Sequence, residues 1–171
     1  MKTQILTLLI LSLTTAGTVP PLRAAVPSPT EQERILAEVK PIMQAMDQAC
    51  QRLDADTATK DFLSAPETIA IPAEGGIVDP GTISAGLKDL YTRLSSLKFT
   101  PIRDEYRVLA PDLVLRVWSY RVDGTSKKKG PWLIEPETAS YLLRKSDGVW
   151  RCIFFQESSR PPKPLPANKS G

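Results

Sequence analysis

The sequence predicts an α+β domain: a cone-like, curved antiparallel sheet covered on one side by an N-terminal amphipathic helix. Three observations predict it. Apolar residues recur at helical spacing from Ile35 onward. The period becomes an alternating one after Thr68. The chain from Lys98 to Glu157 then reads as successive long strands joined by short turns. Helices, then a strand pair, another helix and a strand meander make an α+β order. A sheet of this kind has one face to cover, and wrapped around a helix it forms a cone with a pocket at its open end.

Ahead of this domain the chain of 171 residues opens with Met1-Lys2, an apolar run from Ile5 to Leu13, and Pro20-Pro21-Leu22-Arg23-Ala24-Ala25. A positive start, a short apolar stretch and small residues at a cut site are the pattern of a signal peptide. The run is short of the ~20 residues that span a bilayer. Residues 1–24 are therefore expected to be removed after Ala24, with Ala16 as the alternative cut, and the protein to be secreted or periplasmic with no stable membrane anchor. Without Lys2 and Arg23 the 22 basic residues fall to 20, against 19 acidic ones. A near-neutral chain does not point to nucleic acid, which asks for a clustered basic face. The run Lys127-Lys128-Lys129-Gly130 reads as a solvated hairpin tip.

The domain is expected over residues 28–159. Ser28 before Pro29 and Glu31 is a helix-start signal, with Thr30 and Glu33 offering a second register. Ile35, Leu36, Val39, Ile42, Met43, Met46, Ala49, Cys50 and Leu53 form one face. Pro41 should kink or restart the helix. Asp54 to Asp56 break it, and a short helix from about Thr57 to Leu63 follows. Thr68 to Ile71 reads as a strand, Glu74-Gly75-Gly76 as a turn, and Ile77-Val78 as the strand's partner. Asp79-Pro80-Gly81 is a second break. Thr82 or Ser84 then caps a helix carrying Leu87, Leu90, Tyr91, Leu94 and Leu97.

Strands follow at about Lys98 to Leu109, Leu113 to Val122, Glu137 to Lys145 and Val149 to Glu157. Ala110-Pro111-Asp112 turns the first, Asp123-Gly124 starts a longer loop, and Ser146-Asp147-Gly148 is a tight hairpin turn. The proline-rich segment 160–171 is expected to stay disordered, since it cannot bury a core.

The stretch Ala139-Ser140-Tyr141-Leu142-Leu143-Arg144-Lys145, then Asp147-Gly148-Val149-Trp150-Arg151 and Phe154-Phe155-Gln156-Glu157-Ser158-Ser159, resembles the nuclear-transport-factor-2-like superfamily, in its SnoaL-like and ketosteroid-isomerase-like branches. The element order matches from about Glu31 to Ser159. The resemblance implies a cone fold and a pocket that serves either dehydrations, isomerisations, cyclisations and epoxide openings, or non-catalytic binding and assembly. Phe154 stands where many such proteins carry a histidine, and Gln156 is no base. The usual acid–base roles are thus not carried onto this chain.

Alternation places Val114, Arg116, Trp118, Tyr120 and Val122 on one face, and Trp150, Cys152, Phe154 and Gln156 on another. If both face the cone, Arg116, Trp118, Tyr120, Phe154 and Gln156, with Tyr106, line an aromatic pocket suited to a small apolar ligand with one acidic or carbonyl group. Otherwise the aromatic residues are core. Asp104 is the one catalytic candidate, an inward carboxylate made basic by desolvation. As an alternative it pairs with Arg116. Glu135, Glu137 and Glu157 rank below it.

The chain has no histidine and two cysteines, so neither a zinc site nor a histidine base is available, and no metal or cofactor is expected. Cys50 and Cys152 form a disulfide if the first helix brings them together, or remain two buried thiols. Three readings stay open: a binding domain for an apolar ligand or protein partner, a lyase or isomerase with Asp104 as base, and an assembly subunit whose open sheet face makes a homodimer.

Overall fold

The computed structural model describes residues 27–61 and 68–166. The signal-peptide segment, Phe62 and Leu63 at the expected end of the second helix, and residues 167–171 of the expected tail lie outside the described residues.

Helix α1, Pro29–Gln51, starts at the first of the two registers. The Ser28 side chain accepts a hydrogen bond from the Glu31 N–H at 3.3 Å, and Pro29 takes the first helical position. The helix runs through Pro41 without restarting. The carbonyl that loses its helical partner there belongs to Ala37, and both residues are exposed, so the loss falls on the solvent side of the helix. Ile35, Val39, Met43, Met46 and Ala49 are buried. Helix α2, Ala55–Thr59, is shorter than expected; Asp54 caps it by accepting from the Thr57 N–H at 3.1 Å.

Helix α3, Pro80–Thr92, begins inside the segment expected to be a break. The cap is Asp79, not Thr82 or Ser84: its carboxylate accepts from the Thr82 N–H at 3.0 Å, and Pro80 supplies the first helical residue. An aspartate before a proline can start a helix as well as end one.

The strands are β1 (Ile69–Ile71), β2 (Leu94–Ala110), β3 (Leu113–Ser126), β4 (Gly130–Ser146), β5 (Val149–Ser158) and β6 (Lys163–Pro164). They form one curved, unclosed sheet in the order β1-β5-β4-β3-β2, with β6 on β4. The sheet is mixed rather than purely antiparallel, because β1 lies parallel to β5, Ile69 opposite Phe154. Val78 bridges back to Ala70, as the short strand pair required.

Asp123 and Gly124 do not open a loop. They sit within the β3–β4 ladder opposite Leu133 and Trp132, and the turn falls at Lys127–Lys129. Gly124 permits this, because the Trp132 ring occupies the space a side chain there would need. Asp147 and Gly148 turn the next hairpin with φ of 53° and 77°.

The segment expected to be disordered from residue 160 enters the sheet as β6. Lys163 lies opposite Leu133 in the register that Ser158 and Thr138 end, so the β5 ladder resumes after a gap. Pro136, Pro161 and Pro162 fall in that gap and have no N–H to give it. The Leu165 N–H then donates to the Pro131 carbonyl at 2.9 Å. Proline-rich composition excludes core burial, but it does not exclude pairing at one strand edge.

The core lies between α1 and the inner face of the sheet, where Ile35, Val39 and Met43 meet Val114, Trp118, Tyr141, Leu143 and Trp150. Among the described residues no helix is long and apolar enough to cross a membrane.

Candidate functional site

On β3, strict alternation turns Val114, Arg116, Trp118, Tyr120 and Val122 inward, and none is more than 3% exposed. Two polar clusters hang on this row. Arg116 is 1% exposed. Its Nε and one terminal nitrogen bond both Asp104 oxygens at 2.8 and 3.0 Å, and its terminal nitrogens bond both Asp47 oxygens at 3.1 and 2.8 Å. The guanidinium also lies over the Trp118 ring, 4.4 Å from its centroid, and within 6 Å of the Tyr106 and Tyr141 centroids. Of the two readings of Asp104, the ion pair is the one observed. Both its oxygens are engaged, and its side chain is about one-third exposed. It is therefore not the unpaired inward base. Burial pushes the Asp47 carboxyl upward against the two Arg116 hydrogen bonds. Asp47 was missed by the sequence reading. Its signal was an acid on the flank of the apolar stripe, next to Met46 and Ala49.

The second cluster is built on two carboxylates that the sequence places below Asp104. The Tyr120 hydroxyl lies 3.1 Å from an oxygen of Glu137 and 3.1 Å from one of Glu157. Glu137 is 8% exposed. Burial, then the neighbouring Glu157, pushes its carboxyl up to about 9. Glu135 is apart from the pair, exposed and 3.7 Å from Arg121.

Glu157 reaches this position through a bulge. The β4–β5 register slips between Leu142↔Phe154 and Leu143↔Cys152, leaving Ile153 extra. Trp150 and Cys152 remain inside as expected, but beyond the bulge the faces exchange. Phe155 and Glu157 turn inward, while Phe154 and Gln156 leave the expected pocket, the latter fully on the exposed side.

Cys50 and Cys152 are free thiols, not a disulfide. The α1 residue lying over the start of β5 is Glu38, which accepts from Trp150 Nε1 at 2.9 Å and from Lys145 at 2.6 Å. Cys50 is about 18 Å further along the helix. There it packs with Tyr91, Leu53, Ala55 and Leu94. Burial raises the two thiols to about 11 and about 12.

The cone interior is filled by rings. Trp118 stacks on Tyr120 with centroids 3.8 Å apart, and Phe99 stands edge-on to both. Trp118 Nε1 is buried without a hydrogen-bond partner. Tyr106 is half-buried, opposite Arg116 in the ladder. A shallow groove of about 360 Å³ lies instead on the outer face, lined by Arg103, Glu105, Val117 and Ser119. A second hollow of about 490 Å³ lies between α2 and α3. The outer face also carries an apolar row across four strands, Leu115–Leu142–Phe154–Ile69, each opposite the next in register. All four are partly or well exposed. This is where Phe154 goes. Among the described residues no cluster of three or more His, Cys, Asp or Glu side chains could hold a metal ion.

No protein-family model and no curated protein sequence matches the chain. Solved structures do. A hexachlorocyclohexane dehydrochlorinase of the LinA type 3 from Novosphingobium barchaimii superposes with a TM-score of 0.68 at 11% identity, over 82% of this chain and 96% of that one. A nuclear-transport-factor-2-like superfamily protein from Salmonella enterica gives 0.66 at 14%, over 82% and 99%. A candidate calcium/calmodulin-dependent protein kinase II association domain from Xanthomonas campestris gives 0.61 at 17%, over 72% and 86%. At these identities the likeness is one of fold, and the fold is the nuclear-transport-factor-2-like cone. Enzymes and proteins of unknown function share it.

Proposed function

We propose that the protein is an exported, non-catalytic binding module that pairs with a second copy of itself through the outer face of its sheet. The observation that carries this reading is the apolar row Leu115–Leu142–Phe154–Ile69, left uncovered on a sheet whose other face is packed. Beside the row, Arg103, Glu105 and Arg107 alternate in charge along β2. A two-fold axis that falls between Arg103 and Glu105 would set each against the other's copy, the self-complementarity an isologous interface needs. One relative in fold is named for association, which fits this use of the scaffold.

The interior supports ligand binding and catalysis less well. Its aromatic rings pack on one another, and its expected base is tied up by Arg116. The lyase or isomerase reading needs a free inward carboxylate that Asp104 does not supply.

Sedimentation equilibrium of the mature chain tests the proposal. The dimer is expected to dissociate in Val117→Glu and Leu142→Glu with the circular dichroism spectrum retained. A wild-type chain that stays monomeric at every concentration reached would overturn it.

A further inference from the structure

The Tyr120 hydroxyl has one hydrogen and two carboxyl neighbours at hydrogen-bond distance. It can donate to one of them only. The second contact is a hydrogen bond only if that carboxyl carries a proton and donates to the phenol oxygen. With both contacts made as hydrogen bonds, Glu137 and Glu157 hold one carboxyl proton between them through Tyr120, at a place where Glu137 is buried.

The pair stands where the sheet is about to come apart. Glu157 is opposite Ala139, one residue before the last β4–β5 rung, Thr138↔Ser158. Glu137 borders the unpaired gap. Beyond the gap, residues 160–166 are all exposed and are held by the Trp132↔Pro164 and Leu133↔Lys163 pairs and the bond from the Leu165 N–H to Pro131. So few contacts mark the low-stability end of a fold.

We propose that Glu137 and Glu157 are a proton-dependent latch on this C-terminal strap. While the shared proton is held, the end of β5 and β6 stay on β4. When it leaves, the strap detaches and frees the β4 edge from Pro131 to Ile134. The physics lies in which group can move. Two ionised carboxylates held on one phenol oxygen repel, and the buried Glu137 is stranded without water. Glu137 is fixed in mid-strand, whereas Glu157 is next to a ladder end and can swing outward with it.

The titratable groups that face the pair are Tyr120 on β3, Tyr141 on β4, Tyr91 on α3, Cys50 on α1 and Glu74 after β1. None brings a positive charge, so none offsets the second ionisation. Burial holds the three tyrosines above their ordinary range, so they stay neutral while the pair titrates.

The test is amide hydrogen exchange of the full chain from about pH 6 to about pH 10, corrected for the intrinsic rate, read at Lys163 and Leu165. Protection of the strap should fall about tenfold or more on the alkaline side, while the near-ultraviolet circular dichroism of the aromatic core is retained. In Glu137→Gln and in Glu157→Gln the protection should no longer depend on pH. Strap protection that is constant with pH in the wild type overturns the proposal. So does a loss that coincides with collapse of the core signal, or one that persists unchanged in a glutamine variant. The wild-type series is decisive even if one variant does not fold.

Discussion

Arg116 presents a charge to the interior and spends four of its five N–H groups on two acids. Four bonds reach Asp47 and Asp104, and aromatic rings cover its flat faces. Such a group is tolerated because every partner is in place, and removing one side of it strands the other. Arg116→Ala should cost about 3–5 kcal/mol, since Asp47 is left buried and unpaired. Asp104→Asn should cost under about 1 kcal/mol, because Asp104 is partly exposed and Arg116 keeps both its bonds to Asp47. Arg116→Lys should fall between, since an ammonium cannot fork to two carboxylates. Urea unfolding of the three variants gives the order. If Arg116→Ala is no worse than Asp104→Asn, the cluster is not a structural centre, and Asp104 is again available as a base. The same geometry explains why Asp104 was a reasonable guess from sequence and is not a base. Alternation placed it on the inner side of β2, but only the β2–β3 register could put a guanidinium on both its oxygens.

At the scale of elements, α1 carries a local cost that its packing overrides. Pro41 removes a backbone bond in the middle of a helix, yet the helix continues because Ile35, Val39, Met43 and Met46 are pinned to the sheet on either side of it. Pro41→Ala should therefore stabilise the protein, by up to about 3 kcal/mol, because it restores the bond on an exposed face without touching the core. The chemical-denaturation midpoint checks this; a loss of stability would mean that the native helix is bent around the proline and packs best that way. The elements were legible where one rule acted alone. Helical spacing gave α1, and unbroken alternation gave the inner row from Val114 to Val122. They were illegible where two rules competed. Asp79-Pro80 fits a stop and a start equally well. Alternation from Trp150 put Phe154 and Gln156 inside, and no residue type announces the extra Ile153 that reverses the faces. The parallel placement of β1 depends on long-range pairing with Phe154 to Gln156, which no local pattern encodes. For the site, this means the aromatic–arginine row could be read from the chain, while the Glu137–Glu157 pair needed the bulge.

For the whole molecule, the two kinds of carboxylate set a window of stability. Glu38, Asp54 and Asp79 are held below the ordinary carboxylate range, the first by Lys145 and Trp150 and the others by the helix N–H and hydroxyl groups they cap. Their contribution is present at neutral pH and is lost as pH falls through their lowered folded values. Glu137 works in the opposite sense. Its carboxyl is raised to about 9 by burial and by Glu157, with Asp47 raised as well by burial. Above the ordinary value near 4.5 the unfolded chain gives up this proton while the folded one keeps it, so folding binds a proton and stability declines as pH rises toward 9. The denaturation midpoint should therefore peak at about pH 5–6 and decline through the neutral range toward about pH 9; beyond it the raised thiols of Cys50 and Cys152 and the buried tyrosines continue the decline. Glu137→Gln should flatten the decline between about pH 6 and about pH 9 and leave the acid limb as it was, since the glutamine keeps the Tyr120 contact without a proton to lose. Urea titrations between about pH 6 and about pH 9 decide the matter: a midpoint that is flat there in the wild type, or that falls equally steeply in Glu137→Gln, contradicts a proton stored at the two carboxyls.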